Sequence, residues 1–135
     1  TTYLARQKST AKVAAKTAES AVPAYEVQAE WDISENIGRR YALTSGDFNL
    51  IHLHALTAKA FGFKQAIAHG MWSKARALAS MTLPESYEAD VWFKLPIYLP
   101  SKVEFLTARV AQDTDFLIRS SKNQKPHVVG SVKAL

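Results

Sequence analysis

The chain has 135 residues, 47% of them hydrophobic and 21% charged, with no cysteine and a formal net charge of +5. That length and composition fit one globular domain able to bury a core without staples, and the missing thiols exclude disulfide, thiolate and zinc–sulfur chemistry. No apolar run approaches the roughly 18 residues of a membrane span, and the lack of disulfides makes the cytoplasm the expected compartment.

The charge is unevenly spread. Residues 1–20 carry Arg6, Lys8, Lys12 and Lys16 against Glu19 alone, so most of the excess sits there. The remainder is only mildly basic, which argues against nucleic acid as a partner, because that needs a concentrated basic face.

In chain order, "TTYLARQK" alternates weakly and reads as a strand. "STAKVAAKTAESAV" has almost no bulky apolar residues and cannot form a core face, so residues 1–22 read as a linker or loose helix. The domain proper is expected over 23–135. "AYEVQAEWDI" alternates, with Tyr25, Val27, Ala29 and Trp31 on one face of a half-buried strand. Ser34 is the expected N-cap of a helix that places Ile37, Tyr41 and Thr44 inward, and Ser45-Gly46-Asp47 stops it. "HALTAKAFG" is helix-prone and ends at Gly62.

"AIAHGMWSKARALASM" carries the strongest helical signal, with Ile67, Met71, Ala75 and Leu78 along one stripe. Its many small residues predict strands packed closely around it. After Pro84 the period switches to two, predicting four strands in "ADVWFKLPIYL", "SKVEFLTARVAQ", "DFLIRSS" and "PHVVGSVKAL". Pro96 implies a bend, and Asp113-Thr114-Asp115 and Lys122 to Pro126 mark turns. Helical material followed by a run of strands gives an α+β class, with an antiparallel sheet curled around one helix.

The stretch "SGDFNLIHLH" concentrates the chemistry. Asp47 and His52 stand five apart on a turn without helical pattern, so both can face one cleft. A carboxylate beside an imidazole suits a reaction that removes one proton and delivers another. Asn49 ties the loop to its own backbone or orients its neighbours. Ser45 reads as part of the turn, since no G-x-S-x-G elbow surrounds it. In "IAHGMW", Gly70 falls at the start of the predicted central helix, where a backbone N–H at the positive end of the dipole suits an oxyanion. An acid/base pair plus an oxyanion donor matches proton abstraction next to a carbonyl, as in elimination of a β-hydroxyl.

The remaining polar residues have plainer readings. His54 forms H-x-H with His52, but side chains two apart converge on a metal only on a special turn, so no metal site is expected. His69 is expected to be buried and hydrogen-bonded at the helix start, and His127 to be a strand residue without a catalytic part. Trp31, Trp72 and Trp92 read as core, while Lys64, Lys74, Arg76 and Lys94 are candidate phosphate contacts.

"YALTSGDFNLIHLH", "AKAFGFKQAIAHGM" and "FKLPIYLP" together resemble the MaoC-like dehydratases and (R)-specific enoyl-CoA hydratases of the hot-dog superfamily. The motif of those proteins reads roughly Y-x-x-x-S-G-D-x-N-P-[IL]-H, then A-x-x-x-G-F, then I-x-H-G-M, and the likeness runs from about Tyr25 to the C-terminus. It implies a hot-dog fold, an antiparallel sheet wrapped around a long central helix that begins near His69. It also implies reversible hydration of a 2-enoyl thioester, carried on coenzyme A or acyl carrier protein, with no separate cofactor and no metal. Asp47 and His52 would be the catalytic pair and Gly70 the thioester-oxygen contact, supported by Asn49, Ser45 and His69. Pairing into homodimers or double hot-dogs is implied too, and "TTYLARQK" looks like the last strand of a preceding hot-dog half. Three positions depart: Leu50 replaces the proline, His54 replaces the aspartate of H-x-D, and a serine of some relatives falls at Leu78. The alternatives are a hot-dog thioesterase or a catalytically weakened acyl-binding half.

Overall fold

The computed structural model describes residues 24–135; the predicted N-terminal strand and linker at 1–22 lie outside the described residues. Strand β1 spans Glu26–Ile33. Helix α1 (Ile37–Ser45), a 3₁₀ turn (Leu50–His52), helix α2 (Ala55–Ala60) and helix α3 (Gly70–Ala79) follow. Strands β2 (Tyr87–Phe93), β3 (Ser101–Val110), β4 (Asp113–Ser120) and β5 (Pro126–Ala134) complete the chain. All five strands form one antiparallel sheet in the order β1-β3-β4-β5-β2.

One face of this sheet carries the core. Trp31 and Ile33, Val103 and Phe105, Phe116 and Ile118, Val128 and Val132, and Val91 belong to a single buried cluster that Ala77 of α3 joins. Burying each large apolar side chain contributes about 1.5–3 kcal/mol before the entropy of ordering is set against it. Trp31 stacks on Phe105 at 5.0 Å, and the Arg76 guanidinium lies 5.0 Å from the centre of the Trp31 ring. Arg76 thus links α3 to β1. Gly130 pairs with Phe116 across β4 and β5, and a Cβ there would collide with the Phe116 ring.

Four local expectations are corrected. The N-cap of α1 is Asn36, not Ser34, whose Oγ donates to Asn36 Oδ1 at 2.6 Å. Within α1 the fully buried residues are Gly38, where a Cβ would meet the His52 carbonyl, and Ala42; Ile37 packs half-buried on the core, Tyr41 is half-buried, and Thr44 is exposed. The turn before β4 is Ala111-Gln112, with Ala111 at φ 57°, so Asp113, Thr114 and Asp115 already belong to the strand.

The fourth concerns the helical stripe drawn from Ile67: α3 has ten residues (about 15 Å) and starts at Gly70, as the H-G-M motif implied, so Ile67 lies outside it. The preceding segment is extended. Ala68 N–H donates to Ile97 O, Leu99 N–H donates to Ala66 O, and Ile67 bridges Tyr98. Those tertiary hydrogen bonds claim backbone that local helical tendency would otherwise use. The buried line of α3 is Ser73 and Ala77, while Met71 is 53% exposed.

Candidate active site

The Asp47 loop is built from its own polar side chains. Gly46 takes φ 77° and closes α1 with its N–H on Ala42 O, a left-handed conformation that glycine adopts without steric cost. Asp47 N–H donates to Ser45 Oγ at 3.2 Å, and Asn49 N–H donates to Asp47 Oδ1 at 3.2 Å. Asn49 Oδ1 accepts from Ile51 N–H at 3.3 Å and so caps the 3₁₀ turn. Thr57 Oγ1 donates to Leu50 O at 2.7 Å, and Ile67 N–H donates to Ile51 O at 3.0 Å. These ties shape the loop on both sides of Leu50, which stands where the motif has proline.

His52 is buried at the end of this turn. Its Nδ1 lies 2.7 Å from Ile67 O. A carbonyl can only accept, so Nδ1 carries the hydrogen and Nε2 is left with its lone pair. Burial, the largest influence, pushes the His52 pKa below the ordinary imidazole value. The Ile67 bond opposes it, His69 adds to it and Asp47 opposes it.

His69 is the N-cap residue of α3 and is 2% exposed. Its ring stacks on His52 with centres 3.8 Å apart and planes 23° apart, and Tyr41 lies 4.8 Å from it. Its Nε2 donates to the Asp47 main-chain carbonyl at 2.9 Å, and Asp47 Oδ2 is 3.8 Å from the same nitrogen. Its Nδ1 is buried without a partner among the described residues. One imidazole therefore joins the Asp47 loop, the His52 ring and the start of α3.

Donor atoms of Asp47, His52 and His69 all lie within 4.8 Å of one another. Stacked rings do not aim two in-plane lone pairs at one ion about 2 Å away, so the geometry suits proton transfer better than metal ligation. His54 stands apart, its Nδ1 accepting from Arg39 Nη1 at 3.4 Å while that guanidinium also donates to Leu53 O.

A cavity of about 200 Å³ opens beside this cluster, lined among others by His52, Gly70, Ser73, Phe93, Ile97 and His127. Gly70 is the first residue of α3, where backbone N–H groups lack intrahelical partners and the dipole favours negative charge. It also packs on Phe93, where a Cβ would sit 3.1 Å from the ring. Asp47 is not in the lining, and its side chain is 54% exposed. Ser73 and His127 share the cavity with His52, which the sequence did not reveal. A helical projection centred on Ala77 finds Ser73, but nothing local to β5 points to His127.

Residues 16–115 match the MaoC like domain. The chain belongs to that family. Over 99 residues this MaoC-like chain is 35% identical to 3-hydroxyacyl-thioester dehydratase X of Mycobacterium tuberculosis, covering 72% of its own length and 35% of the relative's. Crystalline HtdX of the same organism superposes with a TM-score of 0.77 at 33% identity, over 81% of this chain and 48% of that one. The chain thus spans about a third to a half of the length of these relatives. An unliganded R-hydratase of Pseudomonas aeruginosa shares the fold, with a TM-score of 0.68 at 24% identity over 83% of this chain and 79% of that one. The antiparallel sheet with its helix is the hot-dog arrangement that the motif implied.

Proposed function

We propose that this domain interconverts a 2-enoyl thioester and a 3-hydroxyacyl thioester by adding or removing water. The observation that carries the reading is His52: buried, with Nε2 bare, beside the Asp47 carboxylate and in one cavity with Gly70. In the dehydration direction His52 Nε2 takes the proton from the carbon next to the thioester. The electrons move toward the thioester oxygen, where the Gly70 N–H meets the developing charge. As the 3-hydroxyl leaves, Asp47, entering this step as the carboxylic acid, gives it the proton that makes it water, and transfer of the proton held by His52 back to Asp47 restores both groups. One proton is taken and one is returned, so the reaction draws on no redox group, and coenzyme A or acyl carrier protein enters only as the carrier of the substrate. The similarity to a protein named 3-hydroxyacyl-thioester dehydratase supports the same chemistry.

The reading includes a partner. Leu43, Leu56 and Phe61 are 79%, 80% and 62% exposed, and Phe48 is more than half exposed beside Asp47. A second hot-dog unit, from another copy or from the same longer chain, would cover such residues and shelter Asp47.

The test follows loss of enoyl absorbance on a short 2-enoyl-CoA. Asp47→Asn and His52→Gln are each expected to lower kcat about 10²–10⁴-fold, the usual worth of a positioned acid or base. Release of free thiol during turnover would instead identify a thioesterase.

A further inference from the structure

We infer that His127 is a specificity-determining residue, and that the cavity takes an acyl chain bearing a hydroxyl group beyond the reacting carbons. The inference rests on the hydration reading above and names its substrate class.

Beyond the reacting end the cavity is mostly apolar, with Ile67, Leu95, Pro96, Ile97 and Val128 among its walls. Lys94 and His127 break that pattern. His127 sits at the start of β5, next to the end of β2, and is tied to the turn after β2 in both directions. Lys94 N–H donates to His127 O at 2.8 Å, and His127 Nδ1 lies 3.1 Å from Leu95 O. The carbonyl only accepts, so Nδ1 is the protonated nitrogen and Nε2 keeps a lone pair. Burial pushes the His127 pKa below the usual value, against the opposing pull of the Leu95 and Pro96 carbonyls. At neutral pH the free nitrogen is therefore an acceptor.

An acceptor in an apolar cavity is best met by a ligand donor. A plain alkyl chain would strip water from Nε2 and return nothing, a cost that a hydroxyl removes. A carboxylate would suit Lys94 but bring a second acceptor to the Nε2 lone pair, whereas a hydroxyl can donate to Nε2 and accept from the ammonium. Sites built around a substrate hydroxyl discriminate strongly against the analogue that lacks it. The sequence reading assigned His127 no part in the site; the fold brings it there.

The experiment compares 2-enoyl-CoA thioesters of four to eight carbons, each with and without a terminal hydroxyl. At the length that reaches His127 the hydroxylated member is expected to have a kcat/KM about tenfold higher. Two variants separate recognition from the hold on the Leu95 turn. An Asn amide can replace Nδ1–H but not Nε2, so His127→Asn is expected to erase the preference, whereas His127→Gln, whose amide oxygen reaches the Nε2 position, is expected to keep part of it. No preference at any length, or a preference that survives His127→Asn, overturns the inference. So does an equal loss for both members of each pair, which would place the contact on the pantetheine arm. Should no enoyl thioester turn over, the hydration reading fails by itself. Titration calorimetry with the saturated acyl-CoA pairs then decides: a tenfold tighter hydroxylated ligand, lost in His127→Asn, supports the inference and equal affinities sink it.

Discussion

His52 is held in one tautomer by a main-chain carbonyl and pushed toward its neutral form by burial. Both effects serve a proton acceptor. In the dehydration direction, the acid limb of kcat/KM is expected to lie below the ordinary histidine value of about 6.5, and a pH profile on a 3-hydroxyacyl-CoA checks it. Stability follows the same sign. As pH falls through about 6.5 the unfolded chain takes up a proton that the folded ring resists, so native stability drops until the folded ring protonates as well. The His127 ring shifts in the same direction. Thermal melts between pH 7.5 and 5.5 should therefore fall with acidification, and less steeply in His52→Gln. Asp47 and His52 were legible as a pair because only four residues separate them. The His52–His69 stack was not, since it brings together residues from opposite sides of α2.

At the scale of elements, the site depends on how closely α1 approaches the 3₁₀ turn. A Cβ on Gly38 would collide with the His52 main-chain carbonyl. Gly38→Ala should then push the helix and the turn apart, costing about 1–3 kcal/mol of stability as overpacking does. Because it moves the backbone of His52, kcat should fall more than the melting temperature alone explains, which paired denaturation and rate measurements would show. Strand periodicity placed four of the five strands well, since one face of each must be apolar. The start of α3 at Gly70 was legible, but the apolar stripe drawn back to Ile67 was not helical, because residues 66–68 spend hydrogen bonds on residues 97–99, a partner the local pattern does not contain.

For the whole molecule, the exposed leucines of α1 and α2, Leu43 and Leu56, are apolar surface without a partner among the described residues. Light scattering is expected to report a species of twice the chain mass. Leu43→Glu combined with Leu56→Glu should return it to the monomer and reduce turnover, because Asp47 would lose its cover. A dimer that persists in the double variant would place the contact elsewhere. No helix of the described residues is long and apolar enough to cross a membrane.

The sequence by itself determined the α+β class, the loop that presents Asp47 and His52, and the family, because each rests on contiguous residues whose spacing is chemical. Tertiary structure alone decided which nitrogen of His52 is bare, that His69 links the Asp47 loop to α3, and that Ser73 and His127 enter the same cavity. Those properties depend on which main-chain carbonyls and ring faces meet across the fold. Such meetings arise from packing a sheet against a helix, and no local pattern of side chains encodes them.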